Sequence, residues 1–328
     1  MFTSHNTWGR RHWLRMAGGL ALAPALGRVF AQDRPIEWVV GYAAGGGSDA
    51  VARATAATLG KTLGQTLIIN NKPGAATNIA AEYVARSRDA EHILLTADFA
   101  TLAANPFLFA KLPYDPEKDF KPVGLLARFP LVAVINPQLP ARTWSEFAAW
   151  ARAQPNGVNY ASAGIGSPHH LATELLKEKT GINFIHVPYK GAAPALQDLV
   201  AGNVSFMLVD TASGNPFVTA GRLRALGVAS ARRIASLPDA PTLQEQGVAD
   251  YEAYAWQGLA VPAATSDATV QRLNQHLVQA LQSDDVKTRF AALGVEGLPG
   301  TPQEMARYAA AERERWGRII RANNIRID

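Results

Sequence analysis

The sequence predicts an α/β protein of two lobes, each a parallel-type sheet flanked by helices, with two connections between the lobes. Short apolar runs alternate with helical patterns, the signature of a parallel sheet with crossover helices. The alternation comes as two successive series, and the C-terminal part is helical. No repeat of fixed period and no low-complexity linker interrupts it.

The elements follow in order. Residues 8–32 have a positively charged start, an apolar stretch from about Met16 to Leu26 and the small-residue ending "VFA", the layout of a secretory leader cleaved after Ala31. The stretch is too short and too broken by Gly and Pro to span a bilayer. Arg10 and Arg11 followed by "HWLR" resemble a twin-arginine export signal; an ordinary leader with a chance arginine pair is the alternative. "IEWVVGY" reads as a strand, with a helix from about Ser48 to Leu63. "TLIINN" and "HILLTA" are strands around a helix from about Ala76 to Ser87. "LVAVINP" opens the second series, whose strands are "VNYASAG", "INFIHVPY", "VSFMLVD" and "LRALGVAS". Helices at about 143–153, 168–180 and 191–202 lie between them.

In the C-terminal part, Val270, Leu273, Leu277 and Leu281 keep helical spacing. The last helix opens with a capping box: Thr301 as cap, Pro302 at the first helical position and Glu304 three residues after the cap. A helix so well capped is expected to pack back on the first lobe. The two series meet near Val132 and again near Tyr254. The expected lobes are therefore 32–131 plus 254–328, and 132–253, with a ligand cleft between them.

Composition removes several function classes. The chain has no cysteine among 328 residues, so disulfides, thiolate nucleophiles and zinc–thiolate sites are absent. Residues 1–31 carry Arg10, Arg11, Arg15 and Arg28 and no acid, so cleavage lowers the formal charge of +5 by four, to +1. A nearly neutral protein has no electrostatic footprint for nucleic acid or anionic membrane.

The glycine stretch "GYAAGGGSDA" raises the nucleotide question. A P-loop needs G-x-x-x-x-G-K-[ST]; Gly60-Lys61-Thr62 has Thr55 five residues before it, so the spacing fails. A dinucleotide loop finds only the relaxed match Gly45, Gly47, Ala50, and the next strand ends in Asn70 and Asn71 where an acid is needed. Neither Ser48 nor Ser167 sits in a G-x-S-x-G elbow. Ser167 before Pro168 reads as a helix cap, with His169 and His170 poorly placed to serve it as a base. No H-x-x-x-H pair suggests a metal, and His92, His186 and His276 stand alone among apolar residues, as core or surface positions. No cofactor is implied.

Three strand-to-helix turns carry small or polar residues: 43–49, 71–78 and 162–170. In parallel α/β lobes these turns face the ligand crevice. Helix N-termini present unpaired N–H groups and about half a positive charge, and so attract anions without Lys or Arg. Three tight βα turns with no ligand role would look the same.

"AAGGGSDAVAR", "NNKPGAATNIAAEYVAR", "HVPYKGAAPAL" and "LPDAPTLQEQG" together resemble the substrate-binding proteins of tripartite tricarboxylate transporters, the Bug receptors. The likeness covers nearly the whole mature chain. It implies a periplasmic, two-lobed binding protein of the type II Venus-flytrap kind, a monomer rather than an enzyme, which delivers a small organic anion to membrane transporter subunits. In that family one carboxylate is held by backbone N–H groups and ordered waters between the first two glycine-containing turns. Carried over, this points to Tyr42, Gly45, Gly46, Ser48 and Asp49 in the first turn, and to Gly74, Ala75 and Asn78 in the second, with Pro73 shaping the approach. The second lobe would contribute Ser162, Gly166, Ser167 and Asp210. Tyr189 and Lys190 suit either the cleft wall or a bridge between lobes and are left unassigned.

The chain departs from the family pattern in two places. The family often has "PGAGGN", whereas Ala76 and Thr77 stand here in place of the glycine pair. After the third strand comes "TADFATLAANP", which puts Asp98 where the far end of the ligand is expected. Facing the ligand, Asp98 would favour a donor or a positive group beside, or instead of, a second carboxylate, as in an amide or amino acid. Capping the following helix, it would face away. A secreted α/β hydrolase using Ser48 or Ser167, and a solute sensor for a signalling partner, are the competing readings.

Overall fold

The first series begins with β1 (Ile36–Val40), whose Val and Ile side chains are buried on both faces of the strand. The computed structural model describes residues 34–327, so the leader, its arginine pair and the cleavage expected after Ala31 lie outside the described residues. After β1 come α1 (Gly47–Leu63), β2 (Leu67–Asn71), α2 (Asn78–Ala85) and β3 (Ile93–Asp98). A π-helical turn, Ala100–Ala104, then leads into the short α3 (Asn105–Leu108). β4 (Phe120–Ile135) starts the second series, followed by α4 (Trp144–Arg152), β5 (Val158–Ser162), α5 (Pro168–Thr180) and β6 (Phe184–Pro188). It continues through α6 (Ala192–Ala201), β7 (Phe206–Asp210), α7 (Thr211–Thr219) and β8 (Arg224–Val228). The chain ends with β9 (Tyr254–Pro262), α8 (Asp267–Gln282), α9 (Asp284–Leu293), β10 (Glu296–Gly297) and α10 (Pro302–Ala322).

The strand order is β2-β1-β3-β9-β4-β7-β5-β6, with β8 and β10 also on β4. β1 pairs in parallel with β2 and β3, and β5 pairs in parallel with β6 and β7. The centre differs from the parallel expectation: β9 runs antiparallel to both β3 and β4, and β4 runs antiparallel to β7 and β8.

β4 is the reason. It is one strand of 16 residues serving both series. As far as Pro130 it pairs with β9, and from Leu131 it pairs with β7. Proline lacks an N–H, so Pro122 and Pro130 suit a bulge and a change of partner better than an unbroken ladder. The register does shift at Pro122/Gly124 and at Leu125/Ala127.

Aromatic side chains fill much of the second series. Phe206 packs on Phe147 and Phe184 with ring centroids 5.1 and 5.0 Å apart, all three nearly inaccessible. Phe206→Ala is expected to destabilise the protein by about 3–5 kcal/mol, with Tm falling roughly 2–4 °C per kcal/mol. Thermal unfolding checks this, and an unchanged Tm would contradict the packing described. α10 opens with the expected Thr301/Glu304 capping box and packs on β4, on the turn 100–104 and on α3, but also on α5 of the second series. Its Trp316 meets Phe99 edge-on at 5.4 Å, and Glu312 accepts from the indole N–H groups of Trp256 (3.0 Å) and Trp316 (2.8 Å). Among the described residues no helix is long and apolar enough to cross a membrane.

Candidate functional site

Helix starts divide into two kinds. Thr143, Ser167, Asp210, Ser266, Ser283 and Thr301 cap α4, α5, α7, α8, α9 and α10 with their own side chains. α1, α2, α3 and α6 begin at Gly46, Thr77, Ala104 and Gly191 with no side-chain cap. No side chain therefore competes for the first-turn amides of α1 and α2, although the Asn78 N–H already bonds the Ala75 carbonyl, and both helix starts lie in turns expected to hold an anion.

The first turn is braced from behind. Asp49, 2% exposed, accepts through Oδ2 from the Gly45 N–H (2.8 Å) and from Arg53 Nε (2.9 Å), and through Oδ1 from Asn71 Nδ2 (2.9 Å). Asn71 Nδ2 also donates to the Tyr42 carbonyl (2.9 Å), so both ends of the turn are tied to the end of β2. Burial pushes the Asp49 carboxyl up, but bonds from Arg53, Gly45 and Asn71 outweigh it and hold it below its ordinary value. Arg53, the nearest cation, is thereby committed to Asp49 and Asn71. Ser48 lies half-buried in the first turn of α1, just beyond Gly46 and Gly47.

The second turn is strained. Ala75, Ala76 and Thr77 have φ of 45°, 50° and 74°, three successive residues with side chains in the left-handed region, after Gly74 at 133°. Such backbone costs about 1–2 kcal/mol per residue with a Cβ. The departure Ala76-Thr77 thus falls where glycine would be relaxed. Ala76→Gly is expected to leave stability unchanged or raise it by up to about 1 kcal/mol, relieved strain being partly offset by chain entropy. A loss above about 1 kcal/mol by urea unfolding would contradict the strained geometry. Contacts hold the turn in place: Asn105 Nδ2 donates to the Ala76 carbonyl and to Asn78 Oδ1, each at 2.7 Å, and Tyr114 Oη donates to Asn78 Oδ1 at 3.2 Å. The Asn78 side-chain oxygen is therefore turned toward the interior. Pro73, Gly74 and Ala75 are exposed.

Asp98 links the two turns. It is 4% exposed at the end of β3. Its Oδ1 accepts from the Thr101 N–H (2.9 Å) and Oγ1 (2.8 Å), and its Oδ2 accepts from the Tyr42 hydroxyl. Thr101 Oγ1 lies 2.8 Å from Thr77 Oγ1 in the second turn. One carboxylate oxygen thus caps the segment that follows, while the other reaches the Tyr42 side chain. Burial lifts the Asp98 carboxyl above its ordinary value, against the pull of these bonds, and burial together with Asp98 raises Tyr42 well above its own.

In the third turn, Ser167 caps α5 by accepting from the His170 N–H at 3.3 Å, as its place before Pro168 suggests. The Gly166 N–H donates to His170 Nδ1 (3.0 Å). Ser162 Oγ lies 2.7 Å from His186 Nε2 and also bonds the Gly164 carbonyl and N–H, each at 3.1 Å. His186 stacks on His170 with centroids 3.8 Å apart. Burial, followed by the neighbouring His186 and then Lys177, pushes His170 down to about 3, and burial pushes His186 down to about 4. Asp210 caps α7 through Ser213 N (2.9 Å) and pairs with His169 Nε2 (3.1 Å). Burial raises the Asp210 carboxyl, but His169 and Ser213 outweigh it and hold it low. Tyr189 turns its hydroxyl to Asp198 (2.6 Å).

The turns also approach one another. A Cβ on Gly47 would stand 3.4 Å from the Ala212 Cβ, so the start of α1 faces the start of α7. A Cβ on Gly166 would fall 2.2 Å from Leu108 Cδ1, so the third turn rests on α3. A cavity of about 190 Å³ is walled by Leu102, Phe120, Met305 and Arg313. Among the described residues no group of His, Cys, Asp or Glu could hold a metal ion.

Sequence alone does not bring Asn71, Thr77, Thr101, His169 and His186 into this constellation. Asn71 and Thr77 lie beside the glycines but look like ordinary turn residues. His186 is 16 positions beyond His170, and only the β5–β6 pairing brings it back to Ser162.

Residues 51–325 match the profile of the tripartite tricarboxylate transporter family receptor. Protein BugT of Bordetella pertussis is 34% identical over 295 residues, covering 90% of each chain. Among solved structures, R. palustris Rpa4515 with adipate is 34% identical, with a TM-score of 0.83 over 89% of this chain and 98% of its own. MatC from Rhodopseudomonas palustris with bound malate is 35% identical, with a TM-score of 0.77 over 88% and 99%.

Proposed function

Because this chain belongs to the tripartite tricarboxylate transporter receptor family, we propose that it captures a small organic carboxylate between its two α/β halves and presents it to the membrane subunits of a tripartite transporter. The observation that carries the reading is the pair of uncapped helix N-termini, α1 and α2, set side by side and tied together through Asp98 and Thr101. Each offers backbone N–H groups and the positive end of a helix dipole to one carboxylate. Solved relatives holding adipate and malate support the same ligand class.

In this reading the lobes are 32–131 plus 254–328, and 132–253. β4 and β9 run between them, and the ligand favours the closed arrangement because only there do both halves touch it. The leader directs the chain to the periplasm and is removed after Ala31, and the receptor acts as a monomer. Gly45, Gly46, Ser48, Gly74 and Ala75 line the carboxylate side, with Asp49 and Asn78 bracing it. Gly166 and Asp210 close from the opposite side. Ser162 and His186 form a hydroxyl–imidazole pair, yet Ser162 Oγ is engaged by Gly164 on both its carbonyl and N–H, which supports a structural role rather than catalysis.

A thermal-shift screen with adipate, malate and their monoamides tests this. A ligand at about 100 times its Kd should stabilise by about 2.7 kcal/mol, or several degrees. Mass spectrometry should return the ligand unchanged. Absence of any shift across the panel would remove the receptor reading, and turnover of the ligand would replace it with an enzyme.

A further inference from the structure

We propose that Asp98 sets the polarity of the cleft by acting through Tyr42, so that the part of the ligand lying against Tyr42 is a hydrogen-bond donor, an amide, hydroxyl or ammonium, rather than a second carboxylate. This rests on the receptor reading above and narrows its ligand class.

The proton order around Asp98 follows from the bonding. With Asp98 ionised, the state its bonds from Tyr42 and Thr101 favour against the lift from burial, the carboxylate only accepts. Tyr42 has one hydroxyl proton, and it goes to Asp98 Oδ2. Thr101 gives its own hydroxyl proton to Oδ1 at 2.8 Å, so the 2.8 Å contact between Thr77 and Thr101 is filled by the Thr77 proton. Every proton in the chain of hydroxyls therefore runs toward Asp98. The Tyr42 oxygen keeps only lone pairs for any other partner, and Tyr42 itself is partly exposed at the exit from β1. Asp98 thus shapes recognition without touching the ligand.

The opposite wall reinforces this. Asp210 stands at the start of α7, which faces the start of α1 across the Gly47–Ala212 approach. One ligand carboxylate is served by the helix N-termini. A second beside Tyr42 would meet lone pairs and two carboxylates, one of them paired with His169, with Arg53 already committed to Asp49 and Asn71. An acceptor left without its donor once the cleft closes over it is costly, and a site built this way rejects an analogue lacking that donor.

Isothermal titration of the leader-free protein with the pairs succinate/succinamate and adipate/adipamate tests the inference. Each monoamide is expected to bind about tenfold or more tightly than its diacid, the ratio expected for one unmet buried hydrogen bond. Tyr42→Phe removes the acceptor and should bring the members of each pair within about twofold. Asp98→Asn turns an amide N–H toward Tyr42, frees the phenol proton for the cleft and should shift preference toward the diacid. Tyr42→Phe, which leaves the Asp98–Thr101 bonds in place, carries the test should Asp98→Asn fold poorly. Diacids binding the wild type as tightly as the monoamides, or a preference that survives in Tyr42→Phe, would overturn the inference and leave the receptor reading standing. If neither acids nor amides bind, both fall together.

Discussion

Gly166→Val is expected to weaken ligand binding by about 5- to 150-fold while the protein still folds. Gly166 has φ of 74°, and a Cβ there would stand 2.2 Å from Leu108 Cδ1 and 3.2 Å from Cδ2. The left-handed backbone adds about 1–2 kcal/mol of strain whether or not the cleft is closed. The overlap with Leu108, about 1–3 kcal/mol, acts only when the third turn rests on α3. If that contact belongs to the closed receptor, overpacking it lowers the population able to hold ligand and leaves the anion-binding amides untouched. Leu108→Ala placed on top should restore most of the affinity, because it removes the clashing methyls, and the coupling between the two changes measures the contact directly. Titration with the tightest-binding acid or amide of the adipate and malate series reads both variants. Unchanged affinity in Gly166→Val, or no rescue by Leu108→Ala, would contradict the closure described.

Asp49→Ala should have the other large effect: about 2–4 kcal/mol of stability lost, together with most of the carboxylate affinity. The buried carboxylate is the shared acceptor for the Gly45 N–H, Arg53 and Asn71, and removing it leaves those donors unmet and the first turn unbraced. The acid limb of stability gives a separate check. Asp49 is held below its ordinary carboxyl value of 3.8, so its contribution is present above that pH and is lost as pH falls through the lower folded value. His170 and His186 are also depressed, from an ordinary 6.5 to about 3 and about 4. The unfolded chain takes up those protons below pH 6.5 while the folded one does not, so stability should decline from that point toward about pH 4. Urea titrations across this range should show the early decline in wild type and Asp49→Asn alike. The further loss at lower pH should be smaller in Asp49→Asn than in proteins that keep Asp49, because Asp210, also held low, contributes to both. Flat stability between pH 7 and 4 would contradict the buried histidine pair.

What could be read from the sequence follows the range of the forces involved. The periodicity of α1, α4, α5 and α6 is local, and their observed bounds, such as Pro168–Thr180 and Ala192–Ala201, lie within a residue or so of the expected ones. The capping box at Thr301 is also local. The first half of β4 was invisible because Pro122, Gly124 and Pro130 interrupt its pattern, and only its partners β9 and β7 make it a strand. α7 was hidden by Gly214 and Pro216, poor helix formers that follow the Asp210 cap.

The turns themselves were readable as glycine-containing βα junctions, and the resemblance carried by "HVPYKGAAPAL" and "LPDAPTLQEQG" agrees with the family match over residues 51–325. The left-handed run at Ala75–Thr77 was not readable, since Ala and Thr ordinarily avoid that region. Nor could the sequence say where Asp98 points, because Tyr42 lies 56 positions away.

If the N-termini of α1 and α2 hold the ligand carboxylate, their amides gain protection when ligand binds. Amide hydrogen exchange with and without saturating ligand, the tightest binder of the adipate and malate acids and monoamides, tests it most directly. Strong added protection is expected in peptides spanning 43–50 and 74–79, with lesser protection at 164–168 and 210–213 as the halves close. Protection confined to other parts of the chain, with those two peptides exchanging as before, would contradict it.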